Sequence, residues 1–119
     1  MPRWSLLRHT GAPDDPSGCH FDLLLEDGES CRTWRLNNPP GLERAPQPAV
    51  ALPAHRLVWL EPRSAAVSGK RGWAERVMAG RYSGVLPSDP ASAIQVVLRE
   101  GDLNGVLVIN DALCELREA

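Results

Sequence analysis

Turn-forming residues set the scale of every element in this chain. Eleven prolines and ten glycines are spread along its 119 residues. Each proline removes a backbone donor, and each glycine opens conformations that turns need. The runs between them are short, and several carry the period-two alternation of a strand with two unlike faces. Arg3–Arg8, His20–Leu25 and Cys31–Leu36 read as strands, the last two joined through Asp27-Gly28, a strong hairpin signal. Asn37-Asn38-Pro39-Pro40-Gly41 breaks the chain, and the proline-rich stretch to Pro48 reads as an ordered loop. Ala49–Leu52 and Leu57–Leu60 read as extended runs on either side of His55, and Trp73–Met78 and Tyr82–Leu86 as strands flanking a tight connection at Ala79-Gly80-Arg81. Ile94–Arg99 and Val106–Asn110 form a last strand pair, and Asp111–Arg117 is the one segment expected to be helical, for a turn or two. The whole predicts an all-β fold: a single domain over residues 1–119, built as a small closed or partly open β-barrel of short antiparallel strands with little helix.

Composition narrows the class further. An apolar fraction of 43% and a charged fraction of 24% are ordinary for a globular domain. No apolar run approaches a membrane span, and the start of the chain is too weakly apolar for a secretory leader. Cys19, Cys31 and Cys114 are odd in number and lack close paired spacing, so neither a disulfide framework nor a zinc knuckle is expected, and a reduced cytoplasm is. A net charge of −2 argues against indiscriminate coating of nucleic acid. The charge is uneven, however: across residues 56–82 Arg56, Arg63, Lys70, Arg71, Arg76 and Arg81 outnumber Glu61 and Glu75, a stretch able to meet phosphates or equally an ordinary solvated face, and the tail after Ser83 is acidic. The tryptophans, Trp4, Trp34, Trp59 and Trp73, read as core rather than as stacking platforms.

The chemistry-bearing stretch is His20-Phe21-Asp22. On a strand His20 and Asp22 share a face, and His9 lies one loop upstream, with His55 the third and last histidine. Two imidazoles and a carboxylate suit Mn²⁺, Fe²⁺ or Zn²⁺ and leave coordination positions open. The bland alternative is a hydrogen-bonded structural cluster. A non-haem iron site built from His20, Asp22 and His55 is a third reading, weakened by the small size of the chain and by leaving His9 unexplained.

In their order along the chain, these motifs form a larger pattern. His9, His20-Phe21-Asp22, Leu25-Glu26-Asp27-Gly28, Thr33-Trp34-Arg35-Leu36 before Pro39-Pro40-Gly41, His55 with Trp59, the turn Gly69–Gly72, Gly80-Arg81-Tyr82 and Leu103-Asn104-Gly105 follow one another in sequence. So ordered, the chain resembles, over nearly its whole length, the 3′-phosphoesterase module of bacterial DNA ligase D. The resemblance implies a β-barrel holding Mn²⁺, or another divalent ion such as Zn²⁺, on His9, His20 and Asp22. It places His55 beside the scissile phosphate as donor or acid. It further implies trimming of 3′-ribonucleotides and 3′-phosphates from DNA or RNA ends, in end joining and DNA repair, with a DNA ligase or end-joining factor as partner and no membrane. The chain departs from the pattern where the family carries phosphate-gripping and supporting residues. Leu24 stands for an arginine two residues beyond the metal-binding aspartate, Leu7 for a glutamine, Asn38 for a lysine, Pro53 for a glutamate and Trp59 for a tyrosine. The loop from His9 to His20 is also longer than usual. Arg71 and Lys70, in the glycine-rich turn, are the candidate substitutes for phosphate binding. Weak activity is expected, and Leu24→Arg is expected to raise it. The competing reading is a non-enzymatic descendant that binds metal, nucleic acid or a protein partner.

Overall fold

A computed structural model describes all residues, 1–119. Nine strands form one antiparallel sheet: β1 (Arg3–Thr10), β2 (Cys19–Asp27), β3 (Ser30–Leu36), β4 (Gln47–His55), β5 (Ser64–Ala66), β6 (Trp73–Ser83), β7 (Ile94–Arg99), β8 (Gly105–Asn110) and β9 (Leu113–Arg117). The sheet order is β1-β2-β3-β4-β9-β8-β7-β6-β5, and a further pairing of β1 with β6 closes eight of these strands into a ring. The seam is β4–β9, held by only two residue pairs, Gln47↔Cys114 and Pro48↔Leu113. The barrel expected from the turn spacing is therefore present and partly open. The only helix is one 3₁₀ turn, Leu57–Leu60.

Period-two alternation sends one face of each ring strand inward. Trp4 and Leu6 of β1, Leu23 and Leu25 of β2, and Trp34 and Leu36 of β3 join residues of β4 and β6–β9 in a core of fifteen buried side chains. Part of the opposite face of β1, β2, β3 and β6 is covered as well. Leu7, Leu24, Cys31 and Ala74 pack beneath Trp59 and Leu60 of the 3₁₀ turn, a second apolar cluster outside the barrel. Burial on both faces explains the unbroken run Leu23-Leu24-Leu25, which alternation alone does not.

Four local expectations are corrected. Leu57–Leu60 is the 3₁₀ turn rather than an extended run. Residues 73–83 make one continuous strand, because Gly80 packs against Trp4 and the Arg99 carbonyl where a Cβ would collide, and so sits inside the strand rather than in a turn. Asp111–Arg117 is not helical. Asp111 and Ala112, at φ +52° and +58°, form a two-residue hairpin loop that leads into β9, the backbone that matches the right-handed twist of the flanking strands. Trp73 is 49% exposed, unlike Trp4, Trp34 and Trp59, which are core.

Candidate metal centre and cleft

The site grows out of strand register. The β1–β2 hairpin pairs His9 with His20 and Leu7 with Asp22, so both imidazoles and the carboxylate lie on the outer face of the barrel. Leu24 follows on that face of β2 and Leu7 on β1, so the polar cluster is bounded on one side by the second apolar cluster. His9 is 8% exposed, His20 2% and Asp22 1%. The imidazole rings are tilted at 56° with centroids 4.6 Å apart, and one ligand atom from each of the three residues lies within 4.8 Å of the others.

Hydrogen bonding decides which nitrogen of each ring faces inward. His9 Nε2 lies 2.7 Å from the Arg71 carbonyl, which can only accept, so Nε2 carries the proton. His20 Nδ1 lies 2.8 Å from Asp15 Oδ2 and donates there. Asp15 is held ionised, its pKa lowered to about 2 by hydrogen bonds first from Ser17 and then from His20. The remaining nitrogens both turn to Asp22: His9 Nδ1 is 3.2 Å from Oδ2 and His20 Nε2 is 3.3 Å from Oδ1. The second pair is too poorly aligned to be a hydrogen bond, so His20 Nε2 and Asp22 Oδ1 are buried without a partner. A buried carboxylate that no guanidinium or ammonium group bonds, faced by two ring nitrogens, calls for positive charge at their meeting point. Imidazole protons or one shared cation can supply it. The donor set, two nitrogens and a carboxylate with both outer nitrogens anchored, fits a divalent ion.

The cluster opens into a cleft of about 600 Å³ whose walls include Arg35, Arg56, Arg63 and Arg71, with His55 and Trp59. His55 lies at the end of β4, opposite Cys31, and its Nδ1 donates to the Pro53 carbonyl at 3.0 Å, which leaves Nε2 as the acceptor of the neutral ring. Arg63 stacks over Trp59 with its guanidinium carbon 4.7 Å from the ring centroid. Arg71 lines the cleft, its side chain tied to the Ser68 carbonyl and hydroxyl. Lys70 is exposed in the same turn, at φ +57°, and is not part of the cleft wall.

Two cleft or anchoring residues escaped the sequence reading, Arg35 and Asp15, whereas Arg56 and Arg63 belong to the basic stretch 56–82. Arg35 was within reach of it. The β2–β3 hairpin turns through Gly28-Glu29, with Gly28 at φ +66°, and that two-residue loop pairs Asp22 with Arg35. Asp15 carries no comparable signal, since it sits in a loop whose path is set by tertiary packing, and the basic stretch does not by itself say that Arg56 and Arg63 line one cleft. Leu24 projects on the same face as His20 and Asp22, as expected, but is fully buried beneath Trp59. An arginine there meets an apolar cluster before it meets the cleft. No protein-family model matches the chain, and no curated protein matches it either.

Proposed function

We propose that this protein is a divergent, divalent-metal-dependent phosphoesterase of the ligase D 3′-phosphoesterase kind, with Mn²⁺ or Zn²⁺ held by His9, His20 and Asp22. The observation that carries the reading is the meeting of three buried donor groups, two of their atoms unpartnered, beneath a cleft walled by four arginines and a histidine. A bound divalent ion supplies charge that polarises a phosphoryl oxygen and lowers the pKa of a bound water. The chain's own residues do the rest. The arginines of the cleft give the positive charge that an anionic phosphoester needs, and Arg63 is pre-oriented by its stacking on Trp59. His55 keeps Nδ1–H on the Pro53 carbonyl, so Nε2 of its imidazolium form is the atom that would give a proton to a departing oxygen. Trp59 and the Leu24 cluster keep water from the inner side of the site. The corresponding substrates are DNA or RNA 3′ ends, and a DNA ligase or end-joining factor is the fitting partner.

A primer-template bearing a 3′-phosphate, incubated with Mn²⁺, tests this. Slow phosphate release is expected, abolished by chelation and reduced roughly 10²–10⁴-fold in His55→Ala, the usual worth of a general acid. One observation favours a second reading. Leu24, and not an arginine, occupies the strand position next to Asp22 and is sealed in an apolar cluster, as in a barrel that has kept its metal site and lost its chemistry. Mn²⁺ binding without hydrolysis of any phosphoester would establish that binding module and exclude the enzyme. The iron reading has no comparable support, because the residue grouped with His20 and Asp22 is His9 rather than His55.

A further inference from the structure

We propose that Asp15, in the long β1–β2 loop, is a positioning residue for the metal ligand His20, so that the loop rather than the barrel determines how strongly the site holds its ion. The inference rests on the metal reading above. The loop is internally braced: Gly11 N–H donates to the Gly18 carbonyl, Asp15 N–H to Ala12 and Gly18 N–H to Asp15, each at 3.1 Å. That frame aims the Asp15 side chain, only 10% exposed, at the buried imidazole.

Both carboxylate oxygens are engaged. Oδ1 accepts from the Ser17 amide at 3.0 Å and the Ser17 hydroxyl at 2.6 Å. Oδ2 accepts from His20 Nδ1 at 2.8 Å. The bond does two things to His20. It fixes the tautomer whose free lone pair is on Nε2, the unpartnered atom facing Asp22, and it places negative charge on the far side of the ring from the ion. His9 receives only the first service, from the neutral Arg71 carbonyl. Asp15 with Asp22 also brings two negative charges to the centre, the number that balances a divalent ion.

Asp14 is the internal control. It neighbours Asp15 in the same loop, but its side chain is 70% exposed and bonds Arg35 instead of a histidine. The test is calorimetric titration of Mn²⁺ into wild type, Asp15→Ala, Asp15→Asn and Asp14→Ala. NMR assignment of the His20 tautomer in the Zn²⁺-loaded proteins accompanies it. Asp15→Ala is expected to weaken Mn²⁺ binding about 10–100-fold, the range typical of lost outer-shell carboxylates. Asp15→Asn, whose amide oxygen still accepts from Nδ1, should lose less and covers the case in which the alanine variant does not fold. Asp14→Ala should bind as wild type does. The wild-type tautomer should be uniformly Nδ1–H. Equal Mn²⁺ affinity in wild type and the Asp15 variants, or equal loss in Asp14→Ala, would overturn the inference while leaving the metal reading intact. No Mn²⁺ binding by wild type would overturn both.

Discussion

Leu24 separates the structure's account of this site from the one the family pattern suggests. It is fully buried against Leu7, Cys31, Trp59, Leu60 and Ala74. Leu24→Ala removes three carbons, a transfer loss of roughly 2–2.5 kcal/mol at about 0.8 kcal/mol per carbon. Incomplete collapse of the space left behind adds a further term of about 20–25 cal/mol per Å³, so the expected destabilisation is roughly 3–4 kcal/mol. Leu24→Arg loses the same packing and adds the desolvation of a guanidinium beneath Trp59, several kcal/mol unless the side chain escapes into the cleft. We therefore expect Leu24→Arg to be at least about 3 kcal/mol less stable than wild type and to gain no phosphatase activity. Guanidinium chloride unfolding followed by far-ultraviolet circular dichroism measures both variants. The predicted losses leave a folded population, since domains of this kind are stable by roughly 5–15 kcal/mol. A loss under about 1 kcal/mol in Leu24→Ala would show that the outer cluster is not packed as described. A Leu24→Arg protein as stable as wild type, with faster 3′-phosphate release, would show that position 24 opens to the phosphate after all.

Three further outcomes follow from the same geometry. Burial pushes the Cys31 thiol up to about 11 and the Cys114 thiol to about 12, so both are protonated at neutral pH; mass spectrometry after brief iodoacetamide treatment should find alkylation at Cys19, the half-buried thiol. Ala112 sits at φ +58° in the β8–β9 hairpin, a backbone that disfavours a Cβ by roughly 1–2 kcal/mol; Ala112→Gly should raise stability by up to about 1 kcal/mol, and a fall in the denaturation midpoint would contradict this. Asp15 has a folded pKa lowered from 3.8 to about 2, so its contribution is complete above pH 4–5 and is lost as pH falls toward 2; in metal-free protein, Asp15→Asn should flatten the stability profile across that window, and an unchanged acid limb would contradict this.

Much of the fold was legible because it depends on local chemistry. Strand runs bounded by proline and glycine predicted the barrel, and His20-x-Asp22 on a strand predicted a shared face. What stayed hidden depends on contacts distant in sequence. Leu57–Leu60 becomes a 3₁₀ turn because Trp59 and Leu60 cap an apolar face of β1 and β2 some thirty or more residues away. Gly80 reads as a turn until Trp4 is seen packed against its bare Cα. Asp111-Ala112 lacks the glycine that marks most two-residue hairpins, and alternation across Leu113–Arg117 was too short to outweigh a helical reading. At the site, His9, His20 and Asp22 were visible from spacing. Asp15 was not, since only the path of a braced loop brings it to His20.

Titration of Mn²⁺ followed by electron paramagnetic resonance decides whether His9, His20 and Asp22 form one cation site. Wild type should remove about one equivalent of Mn²⁺ from the free-ion signal, Zn²⁺ should displace it, and Asp22→Ala and His20→Ala should each abolish the uptake while remaining folded by circular dichroism. Uptake that is absent in wild type, or equal in wild type and Asp22→Ala, would show that the cluster is only a buried hydrogen-bonded network.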